Sequence, residues 1–282
     1  MIKQEIMRKI YEEIDSLPPI PDNITKIRKM VNDPKSEIYM ISSLVKQDAT
    51  LTADILKVAN SAWYISRTKV DTVERAISLI GLRRLSSITL TLGAKKILGD
   101  KYKKMEYIWR HSYQCAFYSQ NLMKMRMAEE EEIEVAYICG LLHDIGKFIL
   151  LSINPSLIEN ISKLSIAKNL SITEIEKQVL GLNHEEIGEK IFSKWKFPPA
   201  LIGAIAHHHS PLLARNESWF ILVYVVYFAN LICPLKEPSV ELMKKIEPTV
   251  LEALNIKSEQ QFETTLKLLI DSYYTSPQIK VF

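Results

Sequence analysis

The chain has 282 residues, 47% of them apolar and 24% charged, close to the averages of folded globular proteins and far from the composition of disordered ones. A formal net charge of +3 leaves no protein-wide field that would hold a nucleic acid non-specifically. Three widely spaced cysteines, Cys115, Cys139 and Cys233, form no C-x-x-C pair, which argues against a disulfide framework and a thiolate zinc site and suits a reducing cytoplasm.

The opening stretch mixes charges up to Pro18-Pro19-Ile20-Pro21 and has no apolar core or cleavage site, so it is not read as a secretory signal. Glycine is scarce, with 8 residues, and the hairpin dipeptides Asn-Gly, Asp-Gly and Gly-Gly are absent, which disfavours antiparallel sheet. The predicted class is all-α. Short amphipathic helices fill the first part, broken at the proline cluster, at Asn32-Asp33-Pro34 and around Ser66 to Asp71. Ile24, Ile27, Met30 and Val31 share one face, as do Leu51, Ile55, Val58 and Ala59, and both stripes read as core. Capping-box spacing recurs at Asp71 with Glu74, Ser171 with Glu174 and Ser258 with Gln261.

Glycine and lysines from Gly99 to Lys104 interrupt the apolar pattern, which places a boundary there: an N-terminal helical subdomain over 1–104, a second over 105–233, and C-terminal helices over 234–282 packed on the second. Two basic clusters, Arg83-Arg84 and Lys95-Lys96 through Lys101, Lys103 and Lys104, read as solvated helix faces, with a phosphate-binding surface as the alternative. A long helix is predicted from about Met105 to Met127. The apolar run from Trp219 to Cys233 is fifteen residues, short of the roughly 20 that span a bilayer, and is expected to be a core helix rather than a membrane segment. Two further helices are predicted, Glu237 to Leu254 and Ser258 to Tyr274. Tyr273-Tyr274 and Val281-Phe282 are expected to pack, with a partner contact as the alternative.

Five of the six histidines form a set with one aspartate: His111, His143, Asp144, His184, His208 and His209. Imidazole and carboxylate are the donor types that suit first-row divalent ions, and helical bundles collect them by pointing residues inward from several helices. His143-Asp144 places adjacent nitrogen and oxygen donors at the end of an apolar helix. Gly146 follows, where a metal-bound substrate would need room, and then Lys147, which could reach phosphate oxygens. His184 opens a helix with Asn183 as its cap, and His208-His209 closes another before Ser210-Pro211. Singly, each has an ordinary structural reading, as a core histidine or a cation at a helix C-terminus.

His111, then His143-Asp144-Ile145-Gly146-Lys147, then His184 with Gly188, then His208-His209 resemble the HD superfamily of metal-dependent phosphohydrolases, in particular its HD-GYP and HDOD branches. Ile14 to Pro21, Lys46 to Thr52, Leu56 to Ala62 and Ala76 to Gly81 resemble the HDOD domain, with Ala49 where that family usually has proline. The resemblance covers about Glu5 to Cys233. It implies an N-terminal helical subdomain packed on an HD-like bundle and a bacterial signal-transduction role as a regulatory or interaction module. It further implies a signalling protein partner and a nucleotide or cyclic dinucleotide ligand; the His/Asp donors themselves suit a divalent metal (Fe, Zn, Mn or Ni), and large apolar helix faces allow a homo-oligomer.

Two departures separate the chain from catalytic relatives. Asn230 stands where catalytic HD domains place an aspartate, so it offers a weak, uncharged donor. Ser210-Pro211-Leu212 follows His209 in place of the Gly-Tyr-Pro signature. The alternative reading is a phosphohydrolase acting on nucleotides or cyclic dinucleotides, with Asp144 and Lys147 in catalytic roles.

Overall fold

Helix starts are written into the chain as side-chain oxygens that cover otherwise unpaired backbone N–H groups. Asp48 accepts from Leu51 N–H at 3.0 Å, Ser171 from Glu174 at 3.2 Å and Asn183 from Glu186 at 2.8 Å. The helix at Ala49 is therefore capped by Asp48 without a proline. The expected box at Asp71 and Glu74 is displaced by one residue. Thr72 is the cap, accepting from Arg75 N–H at 3.3 Å, while the Glu74 carboxylate takes Ser42 at 2.7 Å and Lys46 at 2.5 Å. A neighbouring hydroxyl and a cation are better partners for Glu74 than the backbone of its own helix.

The computed structural model describes residues 2–31, 33–60, 69–99 and 106–275, and contains no strand among them. The first six helices are α1 (Ile2–Ser16), α2 (Asp22–Val31), α3 (Ile38–Lys46), α4 (Ala49–Ala59), α5 (Val73–Ile80) and α6 (Leu82–Gly99). They are followed by α7 (Glu106–Met125), α8 (Glu130–Leu142), α9 (Ile145–Ile153), α10 (Leu157–Lys168), α11 (Ile172–Leu180), α12 (His184–Lys194) and α13 (Pro199–Ala206). A 3-10 turn at Pro211–Ala214 leads into α14 (Phe220–Ile232), and the chain closes with α15 (Pro248–Ala253) and α16 (Glu259–Thr275).

Helices α2 to α6 pack on one another, while α7 lies along α8 and both carry α14. α12 sits on α9 and α13, and α16 covers α7. The two groups meet where α6 packs on α8, and α1 crosses back to rest on α9, α11 and α12. The predicted apolar helix is α14: Leu222 through Ala229 and Ile232 are all buried, the pattern of a helix enclosed on every side. One helical stretch among the described residues, Glu130–Ile153, is long and apolar enough to cross a membrane, and 78% of its apolar window is buried inside the protein.

The expected helix from Glu237 to Leu254 is instead a 3-10 helix at Val240–Lys245 followed by the short α15. Pro248 has no N–H to give to a helix interior and drives the residues before it to extended backbone, seen at Ile246 (ψ 138) and Glu247 (ψ 122). The last predicted helix agrees closely with α16: the Ser258 hydroxyl accepts from Gln261 N–H, and the Gln261 side chain accepts from Lys257 N–H. Tyr273 is core, with its ring 5.5 Å from Phe117 and 5.6 Å from Tyr118, while Tyr274 is exposed. Val281-Phe282 lies outside the described residues.

Two described members of the basic clusters are drawn into ion pairs. Arg84 turns onto Glu134 at 3.3 Å and Lys96 onto Asp48 at 3.0 Å, each drawn to a partly buried carboxylate. The side chain of Lys95, and Lys101, Lys103 and Lys104, lie outside what the structure describes.

Candidate metal centre

Helix α8 runs out at Leu142, His143 continues its right-handed backbone for one residue, and Asp144 (φ −93, ψ 13) turns the chain into α9. The dipeptide therefore sits in the corner between two buried helices. Two glycines make the corner possible. A Cβ on Gly140 would lie 2.8 Å from the Ala116 backbone, so that glycine lets α8 touch α7, which carries His111. A Cβ on Gly146 would overlap the carbonyl oxygen of His184. The room at Gly146 is thus taken by the first residue of α12, not by a substrate as the sequence suggested, and it brings His184 against Asp144.

Each central ring is held by its outer nitrogen. His143 Nδ1–H donates to the Gly140 carbonyl at 2.7 Å, and His208 Nδ1–H to the Ile205 carbonyl at 2.8 Å. His184 Nδ1–H donates to the Glu176 carboxylate at 2.7 Å, and its backbone N–H reaches the same oxygen at 2.8 Å. These contacts orient the rings and leave the Nε2 atoms pointing inward. His143 Nε2 is 3.2 Å from His111 Nε2, and His184 Nε2 is 3.2 Å from His208 Nε2.

Asp144 lies between the two pairs. Its Oδ2 is 3.6 Å from His111 Nε2 and 3.4 Å from His143 Nε2. Its Oδ1 is 3.4 Å from His184 Nε2 and 3.8 Å from His208 Nε2, both too long or poorly directed to satisfy it. Oδ1 and His209 Nε2 are buried without a hydrogen-bond partner. His209 is positioned by its backbone N–H, which donates to Glu185 at 2.7 Å, and its ring stands 5.0 Å from that of His184. Lys147, one turn on from Asp144, pairs with Oδ2 at 2.6 Å. Asn230, on α14, lies beside His111. His207 stands apart, stacked on Trp219.

Burial and charge set the protonation. Burial lowers His111 to about 4 and His208 to about 3, and holds His209 well below the usual histidine range, so these rings are neutral and keep lone pairs. His143 moves the other way. Burial works against its charge, but the Asp144 carboxylate more than offsets it and lifts the ring to about 9. Asp144 stays ionised although burial opposes it, because His143 and Lys147 hold it well below the carboxylate range. Burial pushes Glu185 up to about 7.

The donors fall into two groups, Asp144 with His184, His208 and His209, and Asp144 with His111 and His143, each with ligand atoms within 4.8 Å of one another. A shared carboxylate, the neutral rings of His111, His208 and His209 and buried atoms without a partner fit a first-row divalent ion. The residues singled out in the sequence are thus brought together, with Asn230 at the edge and Lys147 on Asp144. Glu176 and Glu185 escaped the sequence reading. The signal for Glu176 was present: Ile172, Ile175, Glu176 and Leu180 form one helical stripe, so the acid occupies a core position.

Residues 17–211 match the HDOD domain. Across 269 residues the chain is 26% identical to an uncharacterized protein of Treponema pallidum, covering 95% of this chain and 52% of that protein. The chain thus spans about half the length of this curated relative. Among solved structures it resembles an HDOD domain protein of unknown function from Geobacter sulfurreducens, at a TM-score of 0.76 and 22% identity over 99% of this chain and 98% of that one. It also resembles a Shewanella amazonensis protein assigned in name to the phosphohydrolases, at a TM-score of 0.73 and 22% identity over 96% of each chain. A Marinobacter aquaeolei protein assigned in name to signal transduction gives a TM-score of 0.73 at 18% identity, over 99% of this chain and 66% of that one. Motif order, an all-helical fold and the match over 17–211 agree: the chain belongs to the HDOD domain family.

Proposed function

We propose that this chain is a regulatory interaction module of bacterial signalling whose His/Asp centre holds a divalent metal ion for structural or sensing purposes. The observation that carries this reading is Asp144, 2% exposed, standing between two histidine pairs with one oxygen unsatisfied. Its surroundings are largely closed: His143, His184 and His208 are fully buried, and His111, at 28% side-chain exposure, and the half-buried His209 form the edges toward solvent. Such an enclosure suits an ion better than a nucleotide. Asp144, His184, His208 and His209 would hold the ion, with His143, His111 and the uncharged Asn230 on the outer side. Iron, zinc, manganese or nickel is compatible with these donors. Bound there, a divalent ion would neutralise the buried carboxylate and, with an open position, acidify a bound water.

The exposed edge of His111, the nearby Lys147 and the name of the Shewanella relative support a second reading, a metal-dependent phosphohydrolase acting on nucleotides or cyclic dinucleotides. In it, Asp144 anchors the centre and Lys147 faces developing phosphate charge. Signalling through a protein partner, as a cytoplasmic chain able to pair with itself, completes the first reading. Elemental analysis of freshly purified protein tests the centre: a stoichiometric first-row metal is expected, lost in His143→Ala/Asp144→Ala, and a metal-free native protein would leave a plain scaffold. Turnover of a nucleotide and cyclic dinucleotide panel by metal-loaded protein, abolished in Asp144→Asn, would replace the module reading with the hydrolase.

A further inference from the structure

We infer that the two sides of Asp144 are unequal: the inner side, formed by Oδ1 with His184, His208 and His209, is the tight metal position, and the Lys147 ammonium stands in for a second cation on the outer side. The inference rests on the metal reading above and names which half of the centre does the binding.

The outer side is already neutralised. Lys147 Nζ lies 2.6 Å from Oδ2, closer than either His111 or His143. A divalent ion beside Oδ2 would have to displace this ammonium or remain close to it, and like charges at such separations repel strongly where water is scarce. The residue that would restore a favourable balance is missing, because Asn230 contributes no charge.

The inner side shows the opposite condition. Asp144 Oδ1 has no hydrogen-bond partner although the residue is 2% exposed, and His209 Nε2 is likewise buried and unpartnered. Leaving such groups unpaired is costly, and one ligand atom from each of Asp144, His184, His208 and His209 lies within 4.8 Å of the others. His184 and His208 present Nε2 atoms 3.2 Å apart while their Nδ1–H groups are committed to Glu176 and to the Ile205 carbonyl. With both Nδ1 atoms committed outward, the two Nε2 atoms converge on the unpartnered Oδ1 of Asp144, the geometry of a cation position. Glu176, itself 1% exposed, stands behind His184 as a carboxylate-histidine pair that orients the ring and strengthens its donation.

The order of importance of the ligands follows. His208 and His209 should matter most, His111 and Asn230 little, although in sequence His111 and Asn230 look like members of the primary set. Lys147 becomes a residue that limits the number of ions held, rather than one that waits for phosphate.

Calorimetric titration of chelator-treated full-length protein with Zn2+, with elemental analysis of the gel-filtered complex, tests this. One tight equivalent is expected in the native chain. His209→Gln and His208→Ala should weaken it by about 100-fold or more, since even outer-sphere partners of metal ligands are worth 10–100-fold. His111→Ala should leave it within about threefold, and Lys147→Met should add a second equivalent. The inference is overturned if His111→Ala weakens the tight equivalent as much as His209→Gln does, if the native chain takes two equivalents of equal affinity, or if Lys147→Met still takes one. A native chain that binds no Zn2+ removes the metal reading itself. Circular dichroism of each variant confirms the fold, and His209→Gln, at a half-buried position, keeps the test open should His208→Ala unfold.

Discussion

At the scale of single residues, the histidines of the centre respond to pH in opposite senses. His111 and His208 are lowered by burial to about 4 and about 3, so below about 6.5 the unfolded chain takes up protons that the folded chain does not. Each such ring removes up to about 1.4 kcal/mol of stability per pH unit as the pH falls. His143 is raised to about 9, so its contribution is complete below about 6.5 and is lost as the pH rises through 9. Metal-free protein is therefore expected to be most stable near pH 6.5 to 7. Urea unfolding midpoints at pH 5, 7 and 9 should peak at pH 7, and a midpoint that keeps rising toward pH 9 would contradict this assignment. The six ligand candidates were legible as residue types in a familiar order. Glu176 was not read, because a carboxylate in a helical stripe is recognised only when the stripe is counted as core and the acid is asked what it serves.

At the scale of elements, caps were the readable part. Ser171, Asn183 and Ser258 start helices as their spacing predicted, since a side-chain oxygen and a backbone N–H three residues apart meet without tertiary help. Thr72 replaced Asp71 because Glu74 was claimed by Ser42 and Lys46 of α3, 32 and 28 residues away in sequence, which no local pattern reveals. Close approaches were equally invisible. Gly146 looked like space for a ligand, and it is the contact between the start of α9 and the start of α12. Gly146→Ala is expected to push α12 away from Asp144 and to destabilise the protein by about 1–3 kcal/mol, the usual range for overpacking a tight contact. It should also lower metal affinity through displacement of His184. Unfolding and Zn2+ titration of the same variant check both, and unchanged values in both would show that the contact is free to relax.

At the scale of the whole molecule, the two groups of helices are joined by polar contacts that a linear reading could not supply. Helix α1 ends with Lys194 donating to the carbonyls of Ile14 at 2.8 Å and Asp15 at 2.6 Å, and Trp195 Nε1–H donating to Pro18 at 3.0 Å. A lysine about 180 residues away thus caps the first helix. The second join is Glu134 on α8, buried and at the centre of three helices. It accepts from Arg84 Nε at 3.3 Å and Ser87 Oγ at 3.1 Å on α6, and from Gln120 Nε2 at 3.1 Å on α7. Burial raises its pKa, and the Arg84 guanidinium and the Ser87 hydroxyl work against that rise. Removing one member of a buried charged network commonly costs 3–5 kcal/mol, and the partial exposure of Arg84 places this case at the lower end. Glu134→Ala is expected to lower the unfolding free energy by about 3 kcal/mol, and Glu134→Gln by less, since an amide keeps the shape and part of the hydrogen bonding. A loss below about 0.5 kcal/mol in Glu134→Ala would mean that apolar packing between α6 and α8 alone joins the two groups.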